Sequence, residues 1–162
     1  MSYVFDSSSL IYLGKLKLLE KINLRKKFIP EEVYREVVEE GFKKYEEESK
    51  YIKKIIEENK FIIKKPKENI VDFPLLSNAD KEVISLAKET KAIAIIDENY
   101  AKQIAKSFGI ESHGSLFILI KLIEQKEISK EQAINYIDKI IEFGFYLSTK
   151  KYREILNLIK KL

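Results

Sequence analysis

The stretch YVFDSSSLIYL, residues 3–13, decides how the rest of the chain is read. Three apolar residues lead into Asp6, three serines follow, and apolar residues resume. The apolar triplet reads as a short buried strand, and the residues after it as helix from Ser8 to about Ile22. Asp6 thus stands where a strand gives way to a helix, and a carboxylate there has two readings. It, or Ser7, caps the helix by accepting from the free amides of the first turn. Alternatively it faces a cleft, because open parallel sheets bind ligands beyond the carboxyl ends of their strands, where strand order reverses.

The same alternation recurs along the chain. KFI (27–29) is a second short strand ended by Pro30, which suits the first turn of a helix. From Glu31 the apolar residues Val33, Tyr34, Val37, Val38, Phe42 and Tyr45 recur at helical spacing. A charged helix over about 47–59 carries Ile52, Ile55 and Ile56 on one face, its YEEESKYIKKIIEENK stretch (45–60) reading as a solvated helix with i,i+4 ion pairs. FIIK (61–64) is a third strand candidate, and residues 65–78, with Pro66 and Pro74, are the longest irregular stretch. LSNADKEVISLAKET (76–90) opens a helix, and AIAII (92–96) is the clearest buried strand, ended by Asp97. ENYAKQIAKSFG (98–109) is a helix closed by Gly109, IES (110–112) a short strand, and helices follow at about 115–125, 130–142 and 149–161. Strands alternating with helices of this length predict an α/β architecture with a central parallel sheet and helices on both faces. The three C-terminal helices are expected to pack as a cover on it.

Composition bounds the chemistry. The 162 residues suit one domain over 1–162, with a core at about 3–125 and a C-terminal helical extension at about 126–162. With 45% hydrophobic residues, nine Phe and nine Tyr, the chain can bury a sizeable core. It has no Cys, which excludes a zinc-thiolate site or a catalytic thiol, and its single His, His113, excludes multi-histidine metal sites. Any metal is then held by carboxylates, which favours Mg²⁺ or Mn²⁺ over zinc. The formal charge of +4 is compatible with an anionic partner, although Lys and Glu are interleaved throughout. Richness in Lys, Glu and Ile with only five Gly points toward a thermophile. No basic-then-apolar leader precedes YVFD, and no apolar run approaches the roughly 20 residues of a membrane span, so the expectation is a soluble, cytoplasmic protein with no membrane partner.

Four acids stand out. Asp6 and Asp97 each end a strand, Asp80 opens the helix before the Asp97 strand, and Glu36 lies in the helix after the second strand. Carboxylates gathered in one cleft repel each other, so such a cluster persists only with a cation or a shared proton. Each acid also has a structural explanation. Ser77 to Asp80 has the spacing of a capping box, Asp97 precedes ENYAKQIA as a helix cap would, and Glu32, Glu39 and Glu40 are as well suited to solvent as Glu36. Spacing alone leaves both readings open.

Taken in order, YVFDSSSLIYLGKLKLLEKI, FIPEEVYREV, LSNADKEVISLAKE and AIAIIDENYAKQIAKSFGIESHGSLFILI resemble the PIN-domain superfamily, most closely its prokaryotic branch of VapC-like predicted nucleases. The resemblance spans residues 3 to about 125 and implies a three-layer α/β/α fold. It places the first acid at Asp6, with Ser7 and Ser8 beside it, the second at Glu36, the third at Asp80 and the fourth at Asp97. Relatives often carry Gly-Glu-x-Glu at the third place, where this chain has ADKE, making Glu82 a substitute or second ligand. The implied activity is Mg²⁺- or Mn²⁺-dependent hydrolysis of RNA phosphodiester bonds, as an endoribonuclease and the toxin of a VapBC-like toxin–antitoxin pair. The alternative is a catalytically weak PIN-like nucleic-acid-binding or scaffold protein. In the nuclease reading Asp6 and Asp97 are shared inner ligands, and Asp80 and Glu36 bind a second ion or orient water. Ser7 or Ser8 donates to a carboxylate or phosphate, leaving the other serines to cap the helix, and Lys102 approaches a phosphate. RNA, a small antitoxin protein and a second copy of the chain are the implied partners. His113 reads as a loop residue, Gly114–Ser115 as the start of the next helix, and LFILIKLI (116–123) as a core-packed helix.

Overall fold

The computed structural model describes every residue except Tyr45 and Lys60, so the apolar role expected of Tyr45 lies outside the described residues. The chain divides into two compact units, Met1–Ser115 and Leu116–Leu162.

The first unit is built on a five-stranded sheet. Its strands are β1 (Ser2–Phe5), β2 (Lys26–Pro30), β3 (Ile62–Lys64), β4 (Ile93–Ile95) and β5 (Ser112–His113), in the order β3-β2-β1-β4-β5. Every neighbouring pair is parallel. The connections carry α1 (Ser7–Lys15), α2 (Glu31–Tyr34), α3 (Glu46–Glu58), α4 (Asn78–Thr90) and α5 (Asn99–Ser107). This is the α/β/α arrangement with a central parallel sheet that the sequence predicts. From β1 the chain steps to β2 and β3 on one side, then returns to β4 and β5 on the other. Strand order therefore reverses between β1 and β4, which are paired Val4 to Ala94 and Phe5 to Ile95. Val4, Phe5, Ala94 and Ile95 are all completely buried, which explains why these strands are unbroken apolar runs instead of alternating ones. The outermost strand β3 leaves Ile62 and Ile63 exposed, as an edge strand does.

Two expected helices come out shorter. The helix read from Ser8 to Ile22 stops at Lys15, turns through Lys17 at a positive φ of 55°, and ends in a 3₁₀ turn at Leu19–Lys21. The turn lets Leu16, Leu18, Leu19 and Ile22 all be buried, which one straight helical face cannot do for such spacing. The second is the run from Glu31. After one α turn it widens into a π-helix over Arg35–Glu40 and tightens into a 3₁₀ turn at Gly41–Lys43. The cause is Ser49 of α3, whose hydroxyl donates to the carbonyl of Val37 at 2.7 Å. A side chain inserted into a helix's carbonyl ladder distorts it. Gly41 makes room for the approach, since a Cβ there would stand 2.6 Å from Ser49 Oγ.

The second unit holds most of α6 (Ser115–Glu124), with α7 (Lys130–Glu142) and α8 (Thr149–Lys161). Ser129 and Gln132 close a full capping box on α7, and Ser148 caps α8. Ile118, Leu119, Ile137, Ile140 and Ile159 are buried, and Tyr152 of α8 donates to Asp138 of α7 at 2.7 Å. No described helix is long and apolar enough to cross a membrane.

Candidate active site

Asp6 follows the last residue of β1 and Asp97 comes two residues after β4, so both lie at carboxyl ends on either side of the switch point. The Asp97 amide donates to Asp6 Oδ2 at 3.1 Å, which ties the two strand ends together. Asp6 is only 2% exposed, and its Oδ1 accepts from the Ser9 amide at 2.8 Å. Asp6 itself is therefore the N-cap of α1. The expectation that the serines cap the helix and free the aspartate is corrected: Ser9 Oγ instead reaches back to the Asp6 carbonyl at 3.0 Å. Capping does not exhaust the carboxylate, because one with two filled positions still has lone pairs to offer.

Asp97 does not cap the helix that follows it; Glu98 does, accepting from the Tyr100 and Ala101 amides at 3.0 and 2.7 Å. Asp97 is gripped by Ser115, whose amide and hydroxyl each donate at 2.6 Å to its two oxygens. Gly114 is required here: a Cβ on it would lie 2.8 Å from Asp97 Oδ1 and 3.2 Å from Lys102 Nζ. Lys102 thus shares the neighbourhood of Asp97, and its charge works against the rise in that carboxyl's pKa.

Glu36 sits in the π turn, and Asp80 in the first turn of α4, where Ser77 accepts from the Asp80 amide at 3.1 Å. The acids influence one another in part: Asp97 acts on Asp6, Asp80 and Ser7 act on Glu36, and Glu98 acts on Asp80. All four acids carry pKa values above their ordinary range. Burial raises Asp6 first and the charge of Asp97 second, to about 7. Burial likewise leads for Asp97, ahead of the opposing Ser115 bonds. Glu36 is solvent-exposed along much of its side chain, yet displacement of water around its carboxyl, then Asp80, pushes it up. Burial and then Glu98 raise Asp80, against a bond from Ser77.

The acids form two pairs, Asp6–Asp97 and Glu36–Asp80, instead of one closed cage. Among the described residues no three Asp, Glu or His side chains stand close enough to share an ion. The donor set still fits a hard divalent cation: it is all oxygen, it gathers like charge, and Mg²⁺ commonly takes only one or two carboxylates and keeps several waters. Ser7 Oγ adds to the fit, being screened from solvent with no partner at hydrogen-bonding distance, although it is near enough to Glu36 to influence it. Ser8 has no comparable position among the site's bonds. Glu82 Oε2 accepts from the Glu32 amide at 2.9 Å, where it caps α2. His113 contacts Glu111 at 2.8 Å.

Glu98 and the clamping role of Ser115 were not singled out from the sequence. The signal for Glu98 was the cap pattern read at Asp97, shifted by one residue. Ser115 was recognised only as a helix start.

Among the solved structures the chain resembles is one that it matches over 76% of its length and 95% of the other's, at 17% identity and a TM-score of 0.56. That structure is a PilT N-terminus domain protein from the hyperthermophilic archaeon Sulfolobus solfataricus, and the likeness bears on fold alone. No curated protein matches the chain. The family model that matches, DUF3368, is described as a PIN domain and covers residues 2–161. PIN domains are generally nucleases and typically use divalent metal ions. With nearly its whole length matched, the chain belongs to the DUF3368 family of PIN domains.

Proposed function

We propose that the protein is a Mg²⁺- or Mn²⁺-dependent endoribonuclease that hydrolyses RNA phosphodiester bonds. The observation that carries this reading is the bonded pair of aspartates, buried Asp6 and half-buried Asp97, at the switch point of a parallel sheet. When bound there, a divalent ion supplies a water of lowered pKa and neutralises charge on the phosphoryl group. Asp6 and Asp97 would hold it. Their aim is fixed in advance, Asp6 by the Ser9 and Asp97 amides and Asp97 by Ser115. Glu36 and Asp80, both with raised pKa values, can accept and hold a proton at their carboxyl oxygens and so orient an attacking water. Lys102, beside Asp97, sets a positive charge where a phosphate oxygen would approach.

The test is cleavage of single-stranded RNA by the purified protein with Mn²⁺ added and with EDTA. Cleavage that needs the metal and is lost in Asp6→Asn and Asp97→Asn supports the reading. Equal cleavage by all three proteins would show another site or a contaminant. A toxin role would add a small antitoxin protein that covers these acids; co-expression with a candidate antitoxin should abolish the cleavage. The absence of a three-carboxylate cluster among the described residues favours a second reading, a PIN protein that binds nucleic acid with little catalysis. RNA binding with no metal-stimulated cleavage would select it.

A further inference from the structure

The charge of this chain is distributed in a way its composition conceals. Helix α8, TKKYREILNLIKK, carries Lys150, Lys151, Arg153, Lys160 and Lys161 against the single acid Glu154. The rest of the chain holds 25 basic and 25 acidic residues, so the whole formal net charge of +4 resides on this one helix. At 100° per residue, Lys150, Arg153, Asn157, Lys160 and Lys161 fall on one arc of about 100°. All five are exposed, and none of the four cations forms an ion pair or side-chain hydrogen bond among the described residues. The opposite face carries Tyr152, Ile155, Leu156 and Ile159; Ile159 is completely buried and Tyr152 is bonded to Asp138 of α7. The apolar face is thus partly covered, Leu158 and Leu162 staying exposed, and the arc itself is a row of long cations about 16 Å from end to end.

We propose that the Lys150–Arg153–Asn157–Lys160–Lys161 arc of α8 binds the phosphate backbone of single-stranded RNA. The arc contains no apolar residue. A protein partner would call for a desolvated apolar centre with charge at its rim, whereas a polyanionic backbone is met by cations alone. A membrane surface would call for apolar residues beside the cations, and Leu158 and Leu162, the exposed apolar residues of this helix and its C-cap, lie outside the arc. The inference takes from the proposed function only the class of polymer; it concerns residues other than the four acids and does not depend on a metal.

The experiment measures binding of a fluorescently labelled single-stranded RNA to the full chain in EDTA, where metal-dependent cleavage is silent, across a series of KCl concentrations. The variant Lys150→Ala/Arg153→Ala/Lys160→Ala is compared with wild type and with Lys53→Ala/Lys54→Ala/Lys67→Ala, which removes equal charge from exposed positions elsewhere. All replaced residues are exposed, so equal melting temperatures verify that the fold is kept. The α8 variant should bind at least about tenfold more weakly, and its slope of log affinity against log salt should be shallower by about 2, roughly 0.7 for each lost phosphate contact. The control triple should stay close to wild type. An unchanged affinity and slope in the α8 variant, or an equal loss in the control, would overturn the proposal. So would poly-glutamate competing as well as unlabelled RNA at equal charge, which would mark α8 as a surface for acidic proteins. Loss of metal-dependent cleavage in Asp6→Asn with RNA binding intact would separate this surface from the site of the acids.

Discussion

At the scale of the residue, Asp6 shows why capping a helix and holding an ion need not compete. One oxygen anchors the first turn of α1 through Ser9 while the other holds the Asp97 amide, and both bonds aim the carboxylate without exhausting its lone pairs. Burial beside Asp97 nonetheless pushes it to about 7, far above its ordinary 3.8. A carboxyl raised on folding binds its proton more tightly in the folded chain than in the unfolded one. Its contribution to stability is complete below the unfolded pKa and is lost as pH rises through the folded one. Without added metal, the melting temperature should therefore fall between about pH 4 and pH 7, a trend that Asp97, Glu36 and Asp80 reinforce because theirs are raised too. Asp6→Asn should flatten that fall while reducing cleavage by more than about 100-fold, since the outer partners of metal ligands alone cost 10–100-fold. Melting curves that rise over this pH interval would contradict the burial argument. Ser115→Ala, which strips Asp97 of its hydroxyl partner, belongs in that 10–100-fold range.

At the scale of elements, the site is assembled by short connections. Gly114 brings the start of α6 against Asp97 closely enough that no Cβ fits. Gly114→Ala should displace Asp97 or Lys102 and lower kcat/KM by about 10- to 100-fold, because misplacements near 1 Å cost that much. An unaltered kcat/KM with Asp97 in place would show that the loop yields freely. Helices α2 and α4 give a sharper contrast. Glu82 is spent on the Glu32 amide, whereas Asp80 acts on Glu36. Glu82→Gln keeps an acceptor for that amide and should cleave at nearly the wild-type rate; Asp80→Asn should lose at least about tenfold. The reverse order would make Glu82 the third acid. This distinction was not legible in ADKE, since positions 80 and 82 differ only in the direction each side chain takes from the same helix. The π turn that carries Glu36 was equally hidden: its cause is Ser49, thirteen residues away, acting through the Val37 carbonyl.

At the scale of the molecule, the five strands and their helices were legible because two-sided burial writes continuous apolar runs such as AIAII, and caps such as Ser77, Ser129 and Ser148 mark where helices begin. Strand order was not, because nothing in a strand's own residues names its neighbours. The meeting of Asp6 with Asp97 follows from that order. The central claim is that Asp6 and Asp97 together hold the ion at which RNA is cut. It is tested most directly by soaking crystals of the protein in Mn²⁺ and measuring anomalous scattering. The account predicts a peak bridged by the Asp6 and Asp97 carboxylates, lost in crystals of Asp97→Asn. A peak elsewhere, or none at millimolar Mn²⁺, would contradict it.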